Sequence, residues 1–506
     1  MTVLLYEIIV AGRDNVTERR YLLAEAAADL RDAGLLSSTL VHSRGEWLTR
    51  DQKGSQLDGA FLGASLDSRS VTDGSLFLGL AGEHVDGRNY VGAALRSGAS
   101  AALTSEWSGA GPDPLMSGDP GHDAVVLIAT DPLQALAILA DCWRTRLSTK
   151  AVAVTGSNGK TTTKDFLHCL LSHHGSTHAT AGNYNNDIGL PLTLLGLREC
   201  HQWAVLELGA SEAGDIDRLA ALAKPQVGVI TNAAGAHLEG FGSLAGVIAT
   251  KGELLDHLPS DGAAVLDRDG VGFDSWSERA PCQVLDWGHH GQRGVWSWQP
   301  TDQGDGGIVT LDQETWTLPL PGRHNGANLV AAVLAARALT GETLDIAAAL
   351  TQFSGSSHRN RLLDAAGITL FDDTYNANPA SVLAAAQALM DLPGQGRRFA
   401  VLGAMAELGT DSLELHHETG AALCELGLDG LWSVGKPALE LAAGFTAAGG
   451  DAEALQNVDS ALHAVLAAVE PGDIILVKGS RSAGMENFVR RFLQHRNPDM
   501  KNLETS

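Results

Sequence analysis

The stretch Thr155-Gly-Ser-Asn-Gly-Lys-Thr-Thr-Thr places a glycine-rich turn directly after the apolar run Ala151–Val154 and before a helix-compatible segment that starts at Lys160. A turn of this kind aims backbone N–H groups and a helix N-terminus at phosphate oxygens. On that reading Gly156, Ser157, Asn158 and Gly159 form a cradle, Lys160 brings a mobile charge to the β- and γ-phosphates, and the Thr161 or Thr162 hydroxyl reaches Mg²⁺. A standard Walker A loop needs glycine at position 154, which here is Val154. The turn is therefore the shorter GxxGKT form or, on the bland reading, an accidental glycine turn.

Further candidates sit beyond other apolar runs. Glu207 closes Ala204-Val-Leu-Glu, and an acid at the carboxyl end of a parallel strand faces the crevice where ligands bind. It is a magnesium carboxylate or a solvated strand-end acid. His237 follows Val227-Gly-Val-Ile-Thr-Asn by a short Ala/Gly loop and is a ligand or, more commonly for a lone histidine, structural. Lys251, fourteen residues later, reads on spacing alone as an exposed helical lysine. The chain carries nine lysines against 26 arginines. Lysine at 160, 251 and 478 is therefore notable, because a compact amine differs from a guanidinium in reactivity. Asn325 and Asn328 would share one helical face, suited to an adenine edge or to capping a helix. Arg359 precedes Phe371-Asp-Asp-Thr-Tyr-Asn-Ala-Asn-Pro, where Asp373 and its neighbours crowd polar groups at a strand end and Pro379 suits the first turn of a helix.

The elements that must position these residues follow from length and pattern. At roughly 100–200 residues per domain, 506 residues predict three domains, expected at 1–147, 148–345 and 346–506. Apolar runs at 151–154, 204–208, 227–230 and 263–266, separated by helix-length stretches, predict a central α/β domain with a parallel sheet. Runs at 368–371, 399–402, 431–434 and 474–477 predict a second open α/β domain. The first part reads as a smaller α/β domain, with a helix over 21–30 and strands near 76–80 and 101–104, while 108–122 and 288–307 read as loops.

Composition excludes some functions. A net charge of −25 argues against a general nucleic-acid binder, which needs basic surface for phosphate backbones. The five cysteines lack CxxC spacing and are expected as reduced core thiols. The apolar start MTVLLYEIIVAG has no basic flank and contains Glu7, so no secretory signal is expected. No apolar run reaches the ~18–20 residues of a spanning helix. A cytoplasmic protein without membrane insertion is expected.

The residues resemble a family, the Mur ligases, ATP-dependent amide-forming enzymes that extend the peptidoglycan stem peptide. TGSNGKTTTKD (155–165), GNYNNDIGLPLTLL (182–195), ELGASEAGDI (207–216), NAAGAHLEGFGS (232–243), KGE (251–253), GRHNGANLVAA (322–332), DDTYNANPAS (372–381), LGAMAELG (402–409) and LVKGSR (476–481) stand in the family's order. YNANP and ELG resemble the member that adds D-alanyl-D-alanine to UDP-N-acetylmuramoyl-tripeptide, and the DNPR string of the diamino-acid-adding sister is absent. The resemblance implies three α/β domains: a UDP-sugar-binding domain, a P-loop-type ATPase domain and a Rossmann-like domain. Asp67-Ser-Arg and Asp86-Gly-Arg look like the UDP-sugar domain, with Ser68 and Arg69 as substrate contacts.

By the same resemblance, ATP would be held by 156–162 together with Asn325, Asn328, Arg359 and Asp373. Two magnesium ions would be held by Thr161, Glu207, His237 and Lys251, and Lys251 stands at the family's carbamylated-lysine position. Lys160, Lys251, His237 and Arg359 would be catalytic, and a monomer is expected. A sister amide ligase, including folylpolyglutamate synthase, is the alternative, and a nucleotide-driven motor or a non-catalytic relative are rivals of other classes. Two departures stand out: the family's usual Pro-Gly-Arg reads Ser357-His-Arg, and residues 1–60 match nothing in the pattern.

Overall fold

The computed structural model describes residues 19–43, 46–50, 57–82, 85–107, 120, 122–235 and 238–497. The apolar start, most of the 108–122 stretch and His237 lie outside the described residues. The chain divides into two compact units, Met1–Thr149 with Asp187–Gln202, and Lys150–Asn186 with Trp203–Ser506.

The first unit is a six-stranded mixed sheet ordered Glu46–Arg50, Leu36–Ser43, Ala124–Ala129, Ala101–Thr104, Leu76–Gly79 and Ala64–Ser65. Its first two junctions are antiparallel and the rest parallel. Residues 19–43 and 46–50, unmatched by the family pattern, thus supply a helix (Leu23–Asp32) and two strands of this sheet. The helix expected from Tyr21 begins at Leu23, because Tyr21–Leu22 pairs with Ala60–Phe61 as a short antiparallel ladder. Helix Gly189–Leu195 belongs to this unit through helix Pro132–Arg146, whose Trp143 indole donates to the Leu197 carbonyl at 3.0 Å.

In the second unit, a six-stranded parallel sheet runs Thr177–Ala179, Trp203–Glu207, Lys150–Thr155, Val227–Ile230, Ala263–Asp267 and Gln283–Trp287. Its inner strands are apolar on both faces, as burial on both sides requires. The chain starts at Lys150–Thr155, adds strands on one side and then crosses to the other. The crevice at that strand's carboxyl end is thus a topological switch point, where ligands bind in such sheets. Phe166, Leu167, Leu170 and Leu171 put one face of helix Lys160–His174 into the core, beside helix Arg323–Thr340.

The 288–307 stretch is not all loop. Trp296–Pro300 is a strand of a three-stranded antiparallel sheet with Gly307–Leu311 and Glu314–Leu318, and Trp296 and Trp298 pack on the core while Ser297 between them points out. The flanking glycines masked this alternation in the sequence.

A third sheet runs Arg361–Ala365, Ile368–Asp373, Ile474–Lys478, Arg398–Gly403, Gly430–Val434 and Ala452–Leu455, parallel except at its first junction. Separate apolar clusters cover its two faces, the doubly wound arrangement. All five cysteines are free, but none lies in a core as expected: Cys142, Cys169, Cys282 and Cys424 are half-buried and Cys200 is exposed. Among the described residues, no helix is long and apolar enough to cross a membrane.

Candidate active site

The phosphate loop is built onto the switch-point strand. Gly156 has φ +143°, and a Cβ there would stand 1.9 Å from Thr231 Oγ1. Gly159 has φ +80°, and its Cβ would stand 2.3 Å from Asn328 Oδ1. Only glycine satisfies both backbone and space. The neighbouring strand end fastens the loop: Thr231 Oγ1 donates to the Asn158 carbonyl at 2.6 Å, and Asn158 N–H donates to Asn232 Oδ1 at 3.0 Å. Ser157 Oγ donates to the Ala234 carbonyl at 3.1 Å. Gly159, at the N-cap of helix Lys160–His174, spends no side chain on the first-turn amides, which leaves them for a phosphate. Gly159→Ala is expected to weaken ADP binding at least about tenfold, with destabilisation of about 1–3 kcal/mol. Calorimetric titration with ADP and a thermal melt check this.

Lys160 folds over the loop, its Nζ donating to the carbonyls of Gly156 (2.7 Å) and Ser157 (3.3 Å). Burial pushes its pKa down; Glu207 opposes the shift and the Arg359 charge adds to it. An ammonium held this way gains from an arriving phosphate anion.

Glu207 is nearly fully buried at the end of strand Trp203–Glu207. Its Oε1 accepts from Asn185 Nδ2 at 2.8 Å, whereas Oε2 has no hydrogen-bond partner among the described residues. A buried carboxylate oxygen without a donor is costly, and a hard cation relieves the cost. The Thr161 and Thr162 hydroxyls, on nearly buried residues of the adjoining helix turn, are oxygen donors of the same kind. These residues fit one Mg²⁺. Among the described residues, no three His, Cys, Asp or Glu side chains cluster as a metal cage, which suits an ion that keeps phosphate and water oxygens. Glu207→Gln is expected to raise the magnesium concentration for half-maximal activity at least about tenfold. Its Tm without magnesium should not fall; a lower Tm would make Glu207 a structural acid.

Lys251 departs from the exposed reading. It lies in helix Leu244–Gly252 at 1% exposure, with Nζ 5.2 Å from the Phe241 ring centroid. Burial first, and then the Lys160 charge, push it down to about 7, against the opposing pull of Asp215 and Glu253. Spacing could not show this, since a helix position does not reveal which neighbour covers it.

The two asparagines differ in role. Asn325 is fully buried, and its amide donates to the Pro321 carbonyl at 2.7 Å, the helix-start arrangement. Asn328 stands against Gly159 and donates weakly to Asn325 Oδ1 at 3.4 Å, so it shapes the phosphate loop.

The third sheet contributes its own strand ends. Register places Asp373 opposite Lys478, and the two form a buried ion pair; Lys478 also donates to the Asn376 carbonyl at 2.8 Å. The Asp373 carboxylate is thus neutralised within the protein. The Arg359 guanidinium lies 3.9 Å from the Tyr375 ring centroid. Despite the changed hinge sequence, His358 (φ +61°) takes the left-handed conformation that glycine favours, as does Asn360 (φ +49°), at a cost of roughly 1 kcal/mol each.

One contact escaped sequence reading. Asn378 caps helix Pro379–Asp391 in a capping box with Ser381, and its Nδ2 donates to Asn158 Oδ1 of the phosphate loop at 2.7 Å. Pro379 marked the helix start in the sequence, but neither the Asn378 cap nor its partner across the sheets was read there.

In the first unit, Arg69 folds back on Asp67, donating through its backbone N–H (2.9 Å) and Nη2 (2.7 Å). Chiefly the Arg69 side-chain hydrogen bond holds Asp67 down at about 2. Arg69 is exposed and Ser68 half-buried. Asp86 and Arg88 repeat this turn.

Comparison with known proteins matches the chain in three successive segments. Residues 61–140 match the Mur ligase family catalytic domain, 154–336 the Mur ligase middle domain and 358–481 the Mur ligase glutamate ligase domain. The chain is 38% identical over 444 residues to the UDP-N-acetylmuramoyl-tripeptide–D-alanyl-D-alanine ligase of Escherichia coli, covering 84% of this chain and 92% of that protein. Among solved structures, MurF from Acinetobacter baumannii superposes with TM-score 0.78 at 30% identity, covering 95% of this chain and 100% of that one. MurF ligase from Thermotoga maritima in complex with ADP gives TM-score 0.73 at 28% identity, covering 87% and 98%. The chain belongs to the Mur ligase family.

Proposed function

We infer that the chain joins D-alanyl-D-alanine to UDP-N-acetylmuramoyl-tripeptide at the expense of ATP, a step of peptidoglycan precursor synthesis. Similarity to ligases of that name over 84–85% of this chain and 91–93% of theirs supports the reaction. The observation that carries the chemistry is the phosphate loop with the orphaned Glu207 oxygen beside it.

The tripeptide carboxylate attacks the γ-phosphorus of ATP, forming an acyl phosphate and releasing ADP. The dipeptide amine attacks the acyl carbon, loses a proton, and expels inorganic phosphate from the tetrahedral intermediate. No protein nucleophile is needed. Lys160 and the loop amides hold and orient the phosphates, and Arg359 offsets charge from the third sheet's side. Bound Mg²⁺, held by Glu207 and Thr161 or Thr162, would neutralise repulsion between ATP and the anionic acceptor.

Lys251 is assigned a carbamate, since carbon dioxide adds to a neutral amine and burial, with the Lys160 charge, leaves about half of this amine neutral near pH 7. The carbamate and His237 would hold the second magnesium. Ser68 and Arg69 are assigned to the UDP-sugar, and Asn325, Asn328 and Asp373 to the walls of the nucleotide site. Three functional domains, a monomeric state and a cytoplasmic location, where ATP and nucleotide sugars are made, complete the reading. The test is isotopic: with ¹⁸O in the tripeptide carboxylate, one label should appear in the released phosphate. Unlabelled phosphate would rule out the acyl phosphate.

A further inference from the structure

We propose that His358 is a positioning residue for Arg359, clamping the hinge peptide so that the guanidinium stays on Tyr375 and near the phosphate loop. The inference rests on the ligase reading above. His358 has a Cβ in the left-handed region, a conformation that persists only where surroundings hold it. Two bonds hold it. Its Nδ1 donates to Asp372 Oδ2 at 3.1 Å, and its carbonyl accepts from Tyr375 N–H at 3.2 Å. Asp372 is a firm anchor: it is 1% exposed, and its other oxygen accepts from Thr374 N–H and Oγ1 at 3.2 and 2.7 Å.

On the far side of Arg359, Asn360 Oδ1 accepts from His324 Nε2 at 3.1 Å. Arg359 therefore extends from a peptide pinned at both ends, and its guanidinium lies over the ring of Tyr375, the residue whose N–H bonds His358. Releasing His358 lets the backbone relax and moves the cation away from the charge it must meet.

The test compares His358→Ala, His358→Gly and His358→Asn with the wild type, reading the rate constant of acyl-phosphate formation, the KM for each substrate and the Tm. Alanine and glycine should lower the rate constant at least about tenfold, with KM for the UDP-tripeptide within about twofold. Asparagine, which tolerates left-handed backbone and can donate to Asp372, should recover most of the rate. Should the alanine variant fail to fold, Asp372→Asn is to show the same fall in rate constant. A glycine variant as fast as the wild type, an asparagine variant no faster than alanine, or a loss confined to Tm would overturn the proposal. A wild type without turnover would remove the ligase reading, and this inference with it.

Discussion

Lys160→Ala is expected to lower the rate constant of acyl-phosphate formation by about 10²–10³, with little change in affinity for the UDP-tripeptide. Lys160 lies on the phosphate loop, already desolvated and folded onto the Gly156 and Ser157 carbonyls. Its charge meets the γ-phosphoryl without having to shed bulk water in the transition state. Lys160→Arg should recover little, because a planar fork cannot occupy the place of a compact ammonium. Rapid-quench measurement of ADP formation in a single turnover reads this directly. A loss expressed in the KM for ATP with kcat unchanged would make Lys160 a uniform binder of nucleotide instead.

Lys251→Ala is expected to cost a similar 10²–10³ in kcat, about that of losing a charged group beside the metal. The sign of its pH dependence follows from burial. With the ammonium pushed down to about 7, about half of the amine is neutral at that pH, against roughly one in 10³ for an ordinary lysine. The neutral form takes up carbon dioxide and releases a proton, so carbamate formation rises as pH climbs through about 7. Enzyme depleted of carbon dioxide at pH 6 should regain activity on adding bicarbonate at pH 8. Acetate or propionate should partly rescue Lys251→Ala by supplying a carboxylate in the space vacated. Full activity without carbon dioxide, or with alanine at 251, would contradict the carbamate.

Much of the fold was legible. The parallel strands show as short buried runs because both of their faces are covered, and the phosphate loop shows because glycine spacing and a following helix are local features. What depends on partners distant in sequence was not. Lys251 looked exposed until Phe241 and its neighbours covered it, and the Asn325 amide proved committed to the start of its own helix. Asn185 gave no sign of supporting Glu207, nor Asn378 of reaching Asn158, since each contact joins residues from different strand ends. The segment 187–202 sits within the central sequence yet packs with the first unit, which no composition shift announced.

The most direct measurement is the mass of the product formed from ATP, magnesium and UDP-N-acetylmuramoyl-tripeptide when D-alanyl-D-alanine, diaminopimelate, lysine and glutamate are offered in turn as the amine. Turnover is expected with the dipeptide alone, giving the UDP-sugar pentapeptide with one phosphate released per bond. Turnover with an amino acid in place of the dipeptide, or ATP hydrolysis indifferent to every amine, would contradict it.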